Sequence, residues 1–218
     1  MAGSSLFLNL ARAAKVVALL LFLLPWVTVS CSSEAIDRTQ SEAAGSAPRL
    51  NMPTSLNAGV PVADASGLNM ATGQLRMLLP NTGPREQAKA SEPPAVPIEI
   101  GVIAGAALIL LALLASFLLK GATGAMAAIG GSVLAIGALC YSVFVSYPPA
   151  VRAALAAHNP SGPRGESAPT PDQIAQILSV KPEIAFYLVL VALALAVLFN
   201  ALALRKPGAA APAPPAGA

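Results

Sequence analysis

Residues 100–146 read IGVIAGAALILLALLASFLLKGATGAMAAIGGSVLAIGALCYSVFVS, two long apolar runs separated by a single lysine, Lys120. Neither run, Ile100–Leu119 or Gly121–Ser146, contains Asp, Glu, Arg or His. A helix of about 20 apolar residues is long enough to cross about 30 Å of hydrocarbon. The stretch therefore predicts two membrane-spanning helices that are joined by a tight turn at Lys120.

Two further apolar stretches, Val16–Cys31 and Ile184–Leu204, are also free of Asp, Glu, Lys, Arg and His. Of the 218 residues, 56% are hydrophobic and 11% are charged, whereas a soluble domain carries about 25% charged residues. The composition predicts an all-α membrane protein, a four-transmembrane-helix bundle with a small, partly disordered extracytoplasmic cap. The first stretch is the shortest of the four, and Pro25 lies inside it.

The charges give these predicted spans an orientation. With a cytoplasmic N-terminus, the inner side carries no acidic residue and five basic ones: Arg12, Lys15, Lys120, Arg205 and Lys206. The outer side then carries the other eight basic residues and all ten acidic residues. Because basic residues near span ends determine orientation, the pattern predicts a multi-pass protein with both termini in the cytoplasm.

The segments between the spans follow from this topology. Residues 1–15 form a cytoplasmic leader, 32–99 a large extracytoplasmic loop, 147–182 a second outer loop, and 205–218 a disordered cytoplasmic tail. In the second loop Thr170-Pro171-Asp172-Gln173 has the pattern of a helix start, which predicts a short amphipathic helix that reaches Leu178. Glu99 and Glu183 precede the second and fourth spans (100–119 and 183–204), where a carboxylate faces the positive end of the helix dipole. We therefore expect both to be helix-start residues rather than catalytic acids.

Small residues recur four positions apart in three of the spans, a spacing that lets helices approach closely in lipid. Two interpretations stay open: internal packing of the protein's own helices, which we favour, and binding of a partner helix. The candidate packing residues are Gly101, Gly105, Gly124, Ala128, Gly131, Ser132, Ala192, Ala196 and Asn200.

Cys31 has three interpretations. Arg12 and Lys15, followed by an apolar run and Val29-Ser30-Cys31, resemble a bacterial lipoprotein signal, which would make Cys31 a lipidation site. A disulfide with Cys140 is a second interpretation, and an unmodified cysteine at the end of a retained span is the third. Thr28 stands where leucine is usual in a lipoprotein signal, which counts against the first.

The sequence contains no motif for catalysis, for a cofactor or for a metal ion. We therefore expect no enzyme, no cofactor and no metal site, and His158 is expected to be a lone surface residue. The alternative of an enzyme that acts on lipid requires Glu99, Glu183 or His158 to converge in a cleft. A net charge of +3 without a basic patch gives no reason to expect nucleic acid as a partner. The absence of ionisable residues from the predicted spans argues against a proton pump or coupled transporter.

Two short segments resemble a set of uncharacterised bacterial membrane proteins. These are Pro25-Trp26-Val27-Thr28-Val29-Ser30-Cys31, in the pattern PWVxVSC, and residues 66–73, in the pattern SGxxxATG. The resemblance implies a four-span protein of the bacterial inner (plasma) membrane and a Cys31 that belongs to a retained span. It implies no activity, because the family has none assigned.

These observations predict a structural or accessory subunit. Its partners would be the lipid bilayer and other membrane proteins, bound through transmembrane helices or outer loops in a larger complex. A small-molecule channel or transporter is the first alternative, and an envelope protein acylated at Cys31 is the second.

Overall fold

The computed structural model describes residues 2–31, 61–78, 95–119, 121–158 and 178–205. Helix α1 is Ala2–Leu20 and is followed by a 3-10 turn, Leu21–Leu23, and by strand β1, Pro25–Cys31. Strand β2 (Pro61–Ser66), helix α2 (Gly67–Thr72) and strand β3 (Arg76–Met77) come next. The remaining elements are α3 (Ile100–Leu118), α4 (Gly121–Tyr141), a π-helical turn (Ser142–Ser146), α5 (Tyr147–His158), β4 (Leu178–Pro182) and α6 (Ile184–Leu204).

Among the described residues, four helical segments are long and apolar enough to cross a membrane: Leu6–Leu23, Ile100–Leu118, Gly121–Leu155 and Ile184–Leu204. Helix α3 packs on α4, α4 on α6, α6 on α1, and α1 on α3. Large apolar side chains on their outer faces are exposed, among them Leu111, Leu118 and Leu134. Such surfaces are typical of helices surrounded by lipid rather than by water.

The first span lies earlier in the chain than predicted. The prediction of Val16–Cys31 is wrong at both ends, because α1 begins at Ala2 and residues 25–31 form a strand. Pro25 lacks a backbone N–H and disfavours helical conformation in the residue before it, and Leu24 is extended, with ψ of 157°. The β-branched Val27, Thr28 and Val29 that follow favour a strand. Arg12 and Lys15 therefore lie inside the first apolar helix rather than before it.

The described residues are mostly helical, with four long apolar helices, as predicted, but the fold is not all-α, because the cap contains a four-stranded antiparallel sheet with the order β3-β2-β1-β4. Strand β1 is central: Thr28 pairs with Asp64 of β2 on one side and with Lys181 of β4 on the other. In β2, Ala63 and Ala65 are buried, while the alternating residues Val62, Asp64 and Ser66 are half-buried. This period of two is the pattern of a strand with one face on a core.

The predictions for the helix starts, the loops, the leader and the tail have different outcomes. Glu99 and Glu183 are the N-cap residues of α3 and α6, as predicted. Helix α4 continues through the π-helical turn into α5, so the helical segment extends well past the predicted end at Ser146. The predicted amphipathic helix from Thr170 lies outside the described residues, except that Leu178 begins β4. The leader residues from Ala2 to Lys15 belong to α1, and the tail from Lys206 onwards lies outside the described residues.

Candidate functional site

The sheet lies where α1 ends and where α3 and α6 begin, which we call the outer end of the helices. Its core is built around Trp26, which has no exposed surface. The indole Nε1 donates a hydrogen bond to the Leu21 carbonyl at 2.9 Å. The ring centroids of Phe22 and Phe186 lie 4.3 and 5.6 Å from that of Trp26. The side chain therefore connects the end of α1 to the start of α6.

The two segments with the patterns PWVxVSC and SGxxxATG meet in this cap. Pro25 of β1 pairs with Ser66 at the end of β2, and a Cβ on Gly67 would lie 2.8 Å from the Trp26 ring. Ser66 caps α2 by accepting a hydrogen bond from the Asn69 N–H at 3.1 Å. Gly73 ends α2 with φ of 70°, a conformation that favours glycine. Both segments thus have a structural explanation in the cap.

Glu99 and Glu183 each tie a helix start to a different element. Glu99 is 5% exposed and accepts a hydrogen bond from the Ser146 hydroxyl at 3.1 Å. Burial raises the pKa of the Glu99 carboxyl, and the Ser146 hydrogen bond partly opposes that rise. Glu183 accepts a hydrogen bond from the Thr28 hydroxyl of β1 at 2.5 Å. The two carboxyls have different hydroxyl partners, and each carboxyl links the start of a helix to another element.

Two buried hydroxyls lie near the Glu99 contact without a hydrogen-bond partner. They are the Ser142 hydroxyl in the π-helical turn and the Tyr147 hydroxyl at the start of α5. The described residues contain no group of three or more His, Cys, Asp or Glu that could hold a metal ion. The side chain of His158 lies outside the description, so its expected surface position stays a prediction.

A second polar cluster lies at the opposite, inner end of the helices, in the part of α1 that precedes residue 16. Arg12 donates a hydrogen bond from Nη2 to the Ser116 carbonyl of α3, and its guanidinium lies 4.2 Å from the centroid of the Phe117 ring. Lys15 has no exposed surface, and its Nζ lies 3.5 Å from the Ala112 carbonyl. Arg12 is therefore bound in the last turn of α3, where the helix dipole is negative, and Lys15 lies about one turn before it.

This cluster opens onto a cavity of about 200 Å³. The cavity lies between α1, α3, α4 and α6, and its lining includes Leu8, Arg12, Ser116, Gly124 and Asn200. Asn200 has no exposed surface and donates from Nδ2 to the Ala196 carbonyl at 2.7 Å. Its Oδ1 and the Nε of Arg12 are buried and have no hydrogen-bond partner. Both atoms belong to residues that line the cavity, but the atoms themselves have no exposed surface.

The sequence did not reveal this cluster, because Arg12 and Lys15 were read as the boundary of the first span. The apolar residues before them carried a signal, since Leu6, Phe7, Leu8 and Leu10 extend the hydrophobic run toward the N-terminus. Because two cations lie inside an apolar helix, the absence of ionisable residues from the spans no longer serves as an argument against a proton pump or coupled transporter.

Three of the predicted small-residue positions, Gly101, Gly105 and Gly131, face another helix of the same chain. A Cβ on Gly105 would lie 2.6 Å from the Leu139 side chain, and one on Gly131 would lie 2.9 Å from Ala112. A Cβ on Gly101 or Gly124 would also collide with neighbouring atoms, from Ser142 and Leu119 respectively. The remaining predicted positions are buried: Ala128, Ser132, Ala192, Ala196 and Asn200.

The two cysteines lie on different elements. Cys31 is the last residue of β1 and pairs with Leu178 of β4. Cys140 is a free, half-buried thiol on α4. The side chain of Cys31 lies outside the description, so the predicted alternative of a Cys31–Cys140 disulfide stays a prediction, although the Cys140 thiol is free in the structure.

Comparisons with known proteins add no relative. No protein-family model matches the chain, and no curated protein and no solved structure matches it significantly. Function must therefore be argued from the geometry of this chain alone.

Proposed function

We propose that this protein is a multi-pass subunit of the bacterial inner membrane, with both termini cytoplasmic, that holds a rigid cap outside the membrane for binding other membrane proteins. The observation that carries this proposal is the position of β1. The strand follows α1 after a single 3-10 turn and pairs on both edges with strands from distant segments. The cap is thereby fixed to the helices without a flexible linker.

Several further contacts support the rigidity of this cap. The Glu183 N–H donates to the Trp26 carbonyl at 2.6 Å, which joins the start of α6 to β1. The Arg152 Nε donates to the Leu178 carbonyl at 3.2 Å, which joins α5 to β4. A rigid surface loses little conformational entropy on association, and this favours a role in recognition.

The packing of the helices leaves the cap as the more suitable surface for binding a partner. Gly101, Gly105 and Gly131 already contact neighbouring helices of the same chain, so the close-approach surfaces they provide are occupied. The outward faces carry bulky apolar residues such as Leu111 and Phe117, which suit lipid. We therefore favour the cap over the helices as the partner-binding surface.

The orientation has support from both ends of the fold. The described charged residues at the inner end are the cations Arg12, Lys15 and Arg205, whereas at the cap end the cations Arg76, Arg152 and Lys181 are balanced by Asp64, Glu99 and Glu183. This distribution agrees with the enrichment of basic residues on the cytoplasmic side.

Lipidation at Cys31 fits this fold poorly. Processing at a lipoprotein signal would cut the chain before Cys31 and remove α1 together with nearly all of β1. The sheet would lose the strand that joins β2 to β4, and the Trp26 side chain would leave the cap core. Retention of the first span is therefore the reading that we propose.

One observation favours a second candidate function, a small-molecule channel or transporter. Buried ionisable residues inside membrane spans commonly mark substrate or ion pathways, and Lys15 is buried beside the Arg12 cluster. Flux measurements on purified protein in liposomes test this candidate: conductance or uptake that disappears in Lys15→Met would favour transport, and no flux above empty liposomes would remove it.

Co-purification from native membranes, followed by mass spectrometry, tests the proposed function. The informative variant is Leu68→Glu, because Leu68 lies on α2 of the cap and is 52% exposed. Arg205→Glu, which changes an exposed residue at the inner end, is the control. We expect a defined partner with the wild type and with the control, and loss of that partner with Leu68→Glu.

Two outcomes would contradict the proposal. If the wild type purifies from mild detergent as a lone monomer without a co-migrating protein, it is not an accessory subunit. If the same partner remains bound to Leu68→Glu, the α2 surface of the cap is not the binding surface.

A further inference from the structure

Three hydroxyl side chains lie around the start of α3, at the outer end of the helices. The Ser146 hydroxyl donates to Glu99 Oε1 at 3.1 Å. The Ser142 Oγ lies so close to the first turn of α3 that a Cβ on Gly101 would collide with it. The Tyr147 hydroxyl is near enough to Glu99 for the charges of the two groups to interact. We call Ser142, Ser146 and Tyr147 the hydroxyl cluster.

The π-helical turn is what brings these hydroxyls together. The Tyr147 N–H donates to the Ser142 carbonyl, which is five residues earlier, as in a π-helix. In an α-helix the residues that lie above one another are three or four positions apart. The wider turn places position 147 above position 142 and next to position 146. All three hydroxyls therefore lie on the side of the helix that faces the start of α3.

The Glu99 carboxyl has fewer hydrogen-bond donors than its ionised form requires. It is 5% exposed, and Ser146 is its hydroxyl donor among the described residues. An ionised carboxylate accepts about four hydrogen bonds, and burying one with fewer is costly. Burial therefore raises the pKa of Glu99, against the effect of the Ser146 hydrogen bond. The buried Ser142 and Tyr147 hydroxyls have no partner, so two more donors are available nearby.

Other ionisable groups near the cap do not determine the charge of Glu99. Helices α2 and α3 contain no titratable residue. The described ionisable side chains of α4, the π-helical turn and α5 are Cys140, Tyr141, Tyr147 and Arg152. Those of the sheet and the start of α6 are Asp64, Arg76, Lys181 and Glu183. The pKa of Glu99 depends on burial and on the Ser146 hydrogen bond instead.

A row of aromatic rings connects the π-helical turn to the core of the cap. Phe144 lies within the turn, between Ser142 and Ser146, and its ring centroid is 5.7 Å from that of Phe186. Phe186 is in turn 5.6 Å from Trp26. Because packed side chains transmit displacements, a movement of the turn reaches Trp26 through these rings.

We infer that Glu99 is a proton-binding site at the cap end of the protein, and that release of its proton changes the packing of the cap. The ionised carboxylate accepts hydrogen bonds from the Ser142 and Tyr147 hydroxyls, and the proton passes to the water outside. Drawing these hydroxyls toward Glu99 moves the π-helical turn and, with it, Phe144. The described packing belongs to the protonated form and is lost as pH rises through the pKa of Glu99 in the folded state. This inference holds whether or not the cap binds a partner.

The fluorescence of Trp26 tests the inference, because Trp26 is the single tryptophan of the chain. The full-length protein in detergent micelles is titrated from about pH 4 to about pH 8, below the ordinary ionisation of tyrosine. We expect a reversible change in the emission wavelength, with a midpoint above the ordinary value of 4.5 and with unchanged helical circular dichroism. The Glu99→Gln variant cannot release a proton and should not show the transition.

Two pairs of variants separate the site from its surroundings. Glu183→Gln makes the same change at the start of α6 and should retain the transition. Tyr147→Phe should raise the midpoint by about one pH unit, or about 1.4 kcal/mol, because the ionised carboxylate loses a donor. Tyr187→Phe is its matched control, since Tyr187 is 47% exposed and its ring centroid lies 5.9 Å from that of Phe186. Its midpoint should equal that of the wild type.

Each part of the inference has a result that would overturn it. The same transition in Glu99→Gln would show that another group binds the proton. Constant emission of the wild type throughout the titration would show that the cap does not respond. Equal midpoints in Tyr147→Phe and Tyr187→Phe would show that the hydroxyl cluster does not serve the ionised form. If Glu99→Gln does not fold, this last comparison decides the matter. No partner enters these measurements, so their outcome is independent of the proposed function.

Discussion

The adjacent glycines Gly130 and Gly131 give a sharp test of how the helices pack. A Cβ on Gly131 would lie 2.9 Å from the Ala112 Cβ and 3.4 Å from the Leu108 carbonyl oxygen, whereas a Cβ on Gly130 would meet nothing within 4 Å. Carbon atoms in contact prefer about 3.5–4.0 Å. A side chain at position 131 must therefore separate α3 from α4, and the same side chain at position 130 extends into open space.

We expect Gly131→Leu to lower the free energy of unfolding by about 1–3 kcal/mol or more, the usual cost of overpacking. Gly130→Leu should leave stability unchanged or raise it by up to about 1 kcal/mol, because leucine favours a helix more than glycine does. The two variants share the backbone effect, so their difference isolates the contact between α3 and α4. Reversible unfolding in mixed detergent micelles, followed by circular dichroism, measures both.

Equal stability of the two variants would refute the packing argument. Co-purification on the same samples separates the two interpretations of the small-residue pattern. If Gly131→Leu retains a folded monomer but loses a partner that Gly130→Leu keeps, this ridge binds a partner helix rather than α3.

Trp26→Ala should lower the free energy of unfolding by about 3–5 kcal/mol, as expected for removal of a buried aromatic side chain, and thermal unfolding against wild type measures the loss. Ser66→Ala should cost about 1 kcal/mol through the lost N-cap of α2, whereas an unchanged melting curve would show that the cap contributes nothing. Burial raises the pKa of Glu99 above the ordinary value of 4.5, so the folded state binds this proton more tightly than the unfolded state. Its contribution is therefore complete below the unfolded pKa and is lost as pH rises through the folded pKa. Unfolding of wild type and Glu99→Gln across that range should show a steeper decline for the wild type, and parallel curves would contradict this reasoning.

The sequence predicted two of the long helices closely, because their hydrophobic runs end at unambiguous residues. Ile184–Leu204 matches α6, and Ile100–Leu119 exceeds α3 by one residue. The prediction misplaces the first helix because it puts the boundary of the helix at isolated charges. Long cationic side chains can lie inside an apolar helix when carbonyls of a neighbouring helix bind them, as Ser116 does for Arg12.

The sheet and the inner cavity depend on contacts between distant segments, which periodicity does not reveal. Strand β1 pairs with residues 61–66 and 178–182, and its apolar composition made it resemble the end of a span. Arg12 and Asn200 line the same cavity only because α1 and α6 pack side by side. The spacing of the small residues indicated close packing but did not indicate which helices would be neighbours.

Labelling of single cysteines with a membrane-impermeant maleimide tests the central claim most directly, namely that the cap and the inner cavity lie on opposite sides of the membrane. Starting from a chain with Cys31 and Cys140 replaced by serine, one variant carries Leu68→Cys on the cap and another carries Arg205→Cys at the end of α6. Both positions are exposed in the structure. The account predicts labelling of position 68 in intact spheroplasts and of position 205 only after permeabilisation. Labelling of both positions in intact spheroplasts, or of position 205 alone, would contradict it.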